Sequence, residues 1–140
     1  MDASEFKRRT KKFAVEIIAL TEGLPRGRAV DIIARQLIRS GSSVGANYRS
    51  ATRAQSAAHM ISKLAIVEEE ADECMYWLEL LVEARYLKPE VAAPLQREAS
   101  QIVAMTVASK KTLRARLRAP LSRQSKIVDR QSPAPTGSTS

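Results

Sequence analysis

The sequence predicts an all-α protein folded as an antiparallel up-down-up-down four-helix bundle, and three features carry that prediction. Apolar residues recur at helical spacing through four successive segments. The breaks between those segments are short. No comparable segment alternates apolar and polar residues with the period of two that a strand requires. Four amphipathic helices on short connections bury their stripes most economically by packing antiparallel. A long coiled-coil hairpin that dimerises into a bundle is the structural alternative.

In the first helix Phe6, Phe13, Ile17, Leu20 and Leu24 step by fours and threes, with Thr10 filling the gap. Asp2 and Glu5 have capping-box spacing, in which a side-chain acceptor satisfies an early N–H. Gly23, Pro25 and Gly27 break the chain before a second stripe of Val30, Ile33, Leu37, Ser40, Val44, Asn47 or Tyr48, and Ala51. Thr52 and Gln55 repeat the capping spacing, which places the second break near residues 50–53 although no Gly or Pro marks it. The third stripe, Met60, Leu64, Val67, Ala71, Cys74, Leu78 and Leu81, has no exception. It predicts a helix over roughly residues 53–86, about 50 Å long at 1.5 Å per residue. Lys88 and Pro89 make the third break, and Leu95, Ile102, Met105, Leu113 and Leu117 mark a looser fourth helix that starts or kinks at Pro94. The bundle is expected over residues 1–118. Residues 119–140, ending SPAPTGSTS without an apolar stripe, read as a disordered tail.

A chain of 140 residues fits one domain with a core of its own. Its single cysteine, Cys74, excludes an intramolecular disulfide and suits a reducing compartment. The longest apolar runs, such as residues 61–67, are interrupted by Ser and Lys and fall far short of the roughly 20 residues a membrane span needs. The charged first dozen residues precede no uninterrupted apolar stretch of the secretory kind. A cytoplasmic protein with no membrane association is the expectation. The net charge of +8 points to nucleic acid or another polyanion as partner.

The run SGSSVGANYRSATRAQS, residues 40–56, is unlike the Leu-, Ile-, Ala-, Arg- and Glu-rich chain around it. Gly41 and Gly45 lie four apart on one helix face, where each costs about 1 kcal/mol against alanine. Two readings follow: tight packing against a neighbouring helix, or a kink or thin wall beside a ligand groove. Asn47 falls on or beside the core stripe, so its amide must find partners and would fix register. In EEEADECMYWLE, residues 68–79, Glu69, Glu73 and Tyr76 or Trp77 stand on adjoining turns. An antiparallel neighbour could therefore meet Arg49 with a carboxylate at the core edge. Trp77, the one tryptophan, suits a core edge and a subunit interface equally. Gly41, Gly45, Asn47, Tyr48, Glu69, Glu73 and Trp77 are thus the structural or interface candidates.

Threading the up-down topology brings the start of the first helix, the end of the second, the start of the third and the end of the fourth to one pole. That pole collects Lys7, Arg8, Arg9, Lys11, Lys12, Arg49, Arg53, Lys63, Lys110, Lys111, Arg114, Arg116 and Arg118, whereas residues 68–83 hold seven acids and no base. Cations suit a helix C-terminus, which accounts for the fourth helix. The KRRTKK run, residues 7–12, lies near a helix N-terminus, where the macrodipole disfavours them. The cluster, Lys63 aside, is the expected contact for an RNA or DNA backbone, without base readout because Tyr48 alone makes no stacking platform.

Enzymatic readings lack ligands. A ferritin-like site needs two Glu-x-x-His pairs, and His59 is the only histidine. Glu69, Glu70 and Glu73 resemble the first half of the magnesium site in all-helical nucleotide pyrophosphohydrolases, but the second half, a downstream E-x-x-D, is missing from the fourth helix. No nucleophile and base can be paired from spacing. The expectation is no enzyme, no catalytic residue, no metal and no cofactor.

GANYRSATRAQS followed by KLAIVEEEADECMYWLELL resembles the small four-helix-bundle proteins grouped with the intervening-sequence proteins of 23S ribosomal RNA, over roughly residues 10–115. The resemblance implies an antiparallel bundle, often assembled as a homopentameric ring, without established catalysis. A relative within that group, the accessory variability protein of diversity-generating retroelements, binds reverse transcriptase and RNA. The function implied is a non-enzymatic accessory protein that binds nucleic acid, RNA foremost, with a protein partner such as a reverse transcriptase. A homo-oligomeric interaction scaffold with no nucleic-acid role is the alternative, and a magnesium-dependent nucleotide pyrophosphohydrolase the third reading.

Overall fold

The computed structural model describes residues 2–119; the tail expected over 119–140 lies, apart from Ala119, outside the described residues. Four α-helices make up the described chain: α1 Ala3–Glu22, α2 Arg28–Thr52, α3 Ala57–Glu83 and α4 Pro89–Leu117. Each packs against the next in sequence, and α1 returns to α4, so the bundle is four-sided. The stripes form its axis. Phe13 and Ile17 of α1, Leu37 and Val44 of α2, all six stripe residues of α3 from Leu64 to Leu81, and Ala99 and Ile102 of α4 are at most 1 % exposed.

Local chemistry sets the boundaries. Asp2 caps α1 by accepting from the Glu5 N–H at 2.8 Å. The second break falls later than the Thr52 spacing suggests. Thr52 Oγ1 donates to the Arg49 carbonyl at 2.7 Å inside the last turn of α2, and Ser56 caps α3 instead, accepting from the His59 N–H at 3.1 Å. A hydroxyl committed to its own helix does not cap the next one. The third helix consequently has 27 residues, about 40 Å of rise rather than 50 Å. Pro89 occupies the first turn of α4, where a missing N–H costs nothing, and Pro94 sits inside the helix on its exposed side. At the end of α3 the Tyr86 N–H bonds the Leu81 carbonyl and the Arg85 N–H that of Val82, a Schellman turn that holds Arg85 at φ 68°.

The two seams of α3 are the most extensive, that of α1 with α2 is smaller, and that of α1 with α4 is by far the slightest. One arginine spans this last seam. Arg9 forks onto Glu98, Nε to Oε2 at 2.6 Å and a terminal nitrogen to Oε1 at 2.8 Å, and also donates to Gln101 and to Met105 Sδ. The hydrogen bonds it donates to Glu98 hold the Arg9 guanidinium above its ordinary pKa. Between α2 and α3 the buried Cys74 thiol lies 3.3 Å from Ser40 Oγ. Between α3 and α4 Lys110, only 9 % exposed, meets Glu68 at 2.6 Å.

These contacts fix the stagger at the pole where the charges gather. From the Ser40–Cys74 contact, residues 40–52 of α2 but 57–74 of α3 remain toward that pole, and α4 runs level with the start of α3. The α3–α4 pair therefore protrudes past α1 and α2. Leu117, in phase with the core stripe, is 47 % exposed as a result.

Candidate nucleic-acid interface

The glycine run lies where α2 crosses α1. A Cβ on Gly41 would stand 2.4 Å from Cδ1 of the fully buried Ile17, so any larger residue must displace that core side chain. Gly45 differs. A Cβ there would meet Thr10 at 3.4–3.5 Å, an ordinary contact, and the residue forms part of the floor of a groove. The two readings of the run thus divide between its two glycines.

That groove, about 600 Å³, is lined by Ser4, Lys7, Arg8, Lys11 and Ala14 of α1, by Ser42, Gly45, Ala46 and Arg49 of α2, and by Arg53 just beyond it. Its walls follow from helical phase. Positions 4, 7, 8, 11 and 14 run along one flank of α1 beside the core stripe, and 42, 45, 46, 49 and 53 along the facing flank of α2. Small side chains make the floor and cations the rims. No carboxylate lines it, and none of the five cations has an ion-pair partner among the described residues. Arg8 donates to Ser4 Oγ at 3.2 Å, a contact that leaves its charge uncompensated.

The expected basic cluster does not survive as one patch. Lys7, Arg8, Lys11, Arg49 and Arg53 come together, while Arg9 turns inward to Glu98 and Lys110 is buried against Glu68. A cation committed to a carboxylate is not offered to a polyanion. Lys12 points along the other flank of α1, 3.8 Å from Glu16. Lys111, Arg114, Arg116 and Arg118 are exposed on the protruding end of α4, and Arg116 edges a separate hollow of about 310 Å³ with Met60, Ala108, Ser109, Thr112 and Leu113. Lys63 is half-buried on α3.

Arg49 does not find the carboxylate expected of it. Arg39 takes that place, 3.1 Å from Glu70 and 2.6 Å from Glu73, with Trp77 Nε1 donating to Glu73 at 3.2 Å. The reason is phase: Arg39 stands on the flank of α2 that faces α3, Arg49 on the flank that faces α1. One guanidinium shifts its partners differently. The hydrogen bond from Arg39 holds Glu73 below the usual carboxylate range, whereas burial carries Glu70 above it. Glu69 is exposed and takes no part. Asn47 makes its bonds within its own helix, to the Ser43 carbonyl at 2.9 Å and Ser43 Oγ at 2.8 Å, so it does not set register between helices. Tyr48, 7 % exposed, packs edge-on to Phe6. Trp77 is half-buried, with Tyr76 at 55 % exposure beside it.

Sequence reasoning found the small residues of α2, Ser42, Gly45 and Ala46, but missed Ser4 and Ala14, which α1 brings to the same groove beside its core stripe. Burial pushes the Cys74 thiol up to about 12, which removes it as a nucleophile near neutral pH. Among the described residues no group of three His, Cys, Asp or Glu is arranged to hold a metal ion, and no helix is long and apolar enough to cross a membrane.

The family model of the 23S rRNA-intervening sequence protein matches residues 3–108, a span that includes the whole groove and stops before the α4 cations. A crystal structure of a protein of unknown function from the S23 ribosomal protein family, from Bacteroides thetaiotaomicron, is similar at 35 % identity with a TM-score of 0.73; the match covers 79 % of this chain and 99 % of that one. No curated protein matches the chain.

Proposed function

The chain belongs to the 23S rRNA-intervening sequence protein family, and from that membership we propose a non-enzymatic accessory protein that binds the phosphate backbone of nucleic acid, RNA foremost, in the groove between α1 and α2. One observation carries the proposal: five unpaired cations from two helices share a concave surface that no carboxylate enters. Such crowding gains nothing for the fold, because like charges repel across the gap. A polyanion removes that repulsion and releases its own counterions on binding. Base readout is not expected, since Tyr48 is spent on Phe6 and no aromatic side chain lines the groove. The absence of catalysis is supported by Glu70 and Glu73, which are occupied by Arg39, and by the inert Cys74 thiol.

Fluorescence anisotropy with two single-stranded oligonucleotides of unrelated sequence tests this. Five contacts at about 0.7 counterion per phosphate give a slope near −3.5, so affinity falls about a hundredfold between about 50 and 200 mM salt, equally for both strands. Replacing Lys7, Arg8 and Lys11 together by Gln lowers the slope by about two. No binding to either strand at low salt, with the helical circular dichroism intact, removes the proposal.

A protein contact, with a second copy or another chain, is favoured separately by the α3 face, where Tyr76 stacks edge-on to Trp77 amid exposed Glu69, Asp72 and Glu79. Light scattering on the purified chain tests a homo-oligomer, a ring of five being the assembly the family resemblance implies. A monomer at tens of micromolar would leave only a partner of another kind.

A further inference from the structure

Every polar side chain that lines the α1–α2 groove is an ammonium, a guanidinium or a hydroxyl: Lys7, Lys11, Arg8, Arg49, Arg53, Ser4 and Ser42. Arginine and lysine can donate to guanine O6 and N7, but telling the four bases apart requires acceptors as well as donors. The lining has no carboxylate, amide or aromatic ring, so it lacks the acceptors that general base readout needs. The hydroxyls of Ser4 and Ser42 are already engaged, with Arg8 and with the Arg39 carbonyl at 3.1 Å. What remains is a set of fixed and flexible positive donors. Linked phosphates satisfy that set without any help from sugar or base.

The positions of the cations suit a chain rather than a single ion. Lys7 and Lys11 follow one another along α1, as Arg49 and Arg53 do along the end of α2, each pair separated by about 6 Å of helix rise. Two rows on facing rims can follow successive phosphates. Gly45 and Ala46 keep the floor low between them, so the ligand can sit down between the rims.

We infer that the groove recognises a chain of linked phosphates as such, and that inorganic polyphosphate is a ligand of the same site. This rests on the reading of the groove as a backbone-binding site. It goes further in making sugar and base dispensable.

The test is competition on the full chain. A labelled single-stranded RNA is bound at low salt and displaced with unlabelled RNA, with medium-chain sodium polyphosphate, or with orthophosphate at matched ionic strength. Polyphosphate is expected to displace the RNA at a total phosphate concentration within about tenfold of that needed with RNA, while orthophosphate does not. Calorimetry with polyphosphate alone should show direct binding. The triple variant Lys7→Gln, Arg8→Gln, Lys11→Gln is expected to lose at least about tenfold in affinity for both ligands. The control triple Lys111→Gln, Arg114→Gln, Arg118→Gln should lose no more than about threefold. If RNA binds and polyphosphate competes no better than orthophosphate, the inference falls while the backbone reading stands. If RNA does not bind even at low salt, the backbone reading falls and takes the inference with it, because linked phosphates as such include those of RNA. Loss of polyphosphate binding in the α4 triple but not in the groove triple also overturns the inference, because the site is then elsewhere.

Discussion

Tyr48 of α2 stands edge-on to Phe6 of α1, the ring centroids 4.4 Å apart and the planes at 86°. The contact joins the end of one groove wall to the start of the other, so the two aromatic residues that adjoin lining residues Lys7 and Arg49 in the chain are structural ones. Burial raises the Tyr48 phenol above its ordinary pKa, with a further push from Asp2.

Tyr48→Ala should therefore cost about 3 kcal/mol in denaturant unfolding, and Tyr48→Phe less than about 1 kcal/mol with nucleic-acid affinity unchanged. The pH dependence has a definite sign. With the folded pKa raised, the contribution of the neutral phenol is fully present below the ordinary tyrosine pKa and is lost as pH rises through the folded value. Wild type should lose stability relative to Tyr48→Phe only above about pH 10. A parallel decline of the two across that range would mean the phenol is not the group that titrates.

Gly41 and Gly45 should respond oppositely to alanine. At Gly41 the added methyl strikes Ile17, and the overpacking, about 1–3 kcal/mol, outweighs the gain in helix propensity. At Gly45 the methyl meets only ordinary contacts, so up to about 1 kcal/mol is gained. Thermal melts of the two variants check this. Gly45→Leu, whose longer side chain must enter the groove or push on Thr10, should melt below Ser50→Ala.

Lys110→Ala leaves Glu68 without its cation and should destabilise by about 2–4 kcal/mol, while Lys110→Met with Glu68→Leu recovers most of that loss. Urea titrations measure both. Neither change should alter nucleic-acid affinity by more than about twofold, because Lys110 faces the interior. A large loss of affinity with stability unchanged would return Lys110 to the binding surface.

Arg85→Gly should raise stability by about 0.5–1 kcal/mol, since the left-handed residue of the Schellman turn is strained by a Cβ. Arg85→Ala keeps the Cβ and should show no such gain.

Much of the fold was legible because burial imposes a period on the sequence. Leu64 through Leu81 repeat it without exception, and all six stripe residues there are buried. Boundaries were legible where the chain is punctuated, as at Asp2 and Pro89. They were not at 52–56, where two hydroxyl residues compete for one cap and the choice depends on what Thr52 already bonds. The site was less legible. Which flank of α2 faces α1 and which faces α3 depends on the handedness of the bundle, and a one-dimensional stripe is the same for either hand. That is why Arg39 rather than Arg49 meets Glu73. The burial of Lys110 escaped notice for a related reason. Its neighbours Lys111 and Arg114 are exposed, and only the approach of Glu68 from α3 makes its burial tolerable.

The slight seam between α1 and α4 makes the bundle unequal in time as well as in space. With one side attached through small-residue packing on α2 and the other through the Arg9 clasp, α1 is the segment expected to open first in sub-global unfolding. Its amides should exchange with solvent deuterium while those of α3, packed on both sides, remain protected. Lys7, Arg8 and Lys11 ride on that opening segment, and Arg49 and Arg53 do not. A polyanion that spans the groove therefore ties the least protected helix to its neighbour, and its occupancy is readable as slowed exchange along α1 alone.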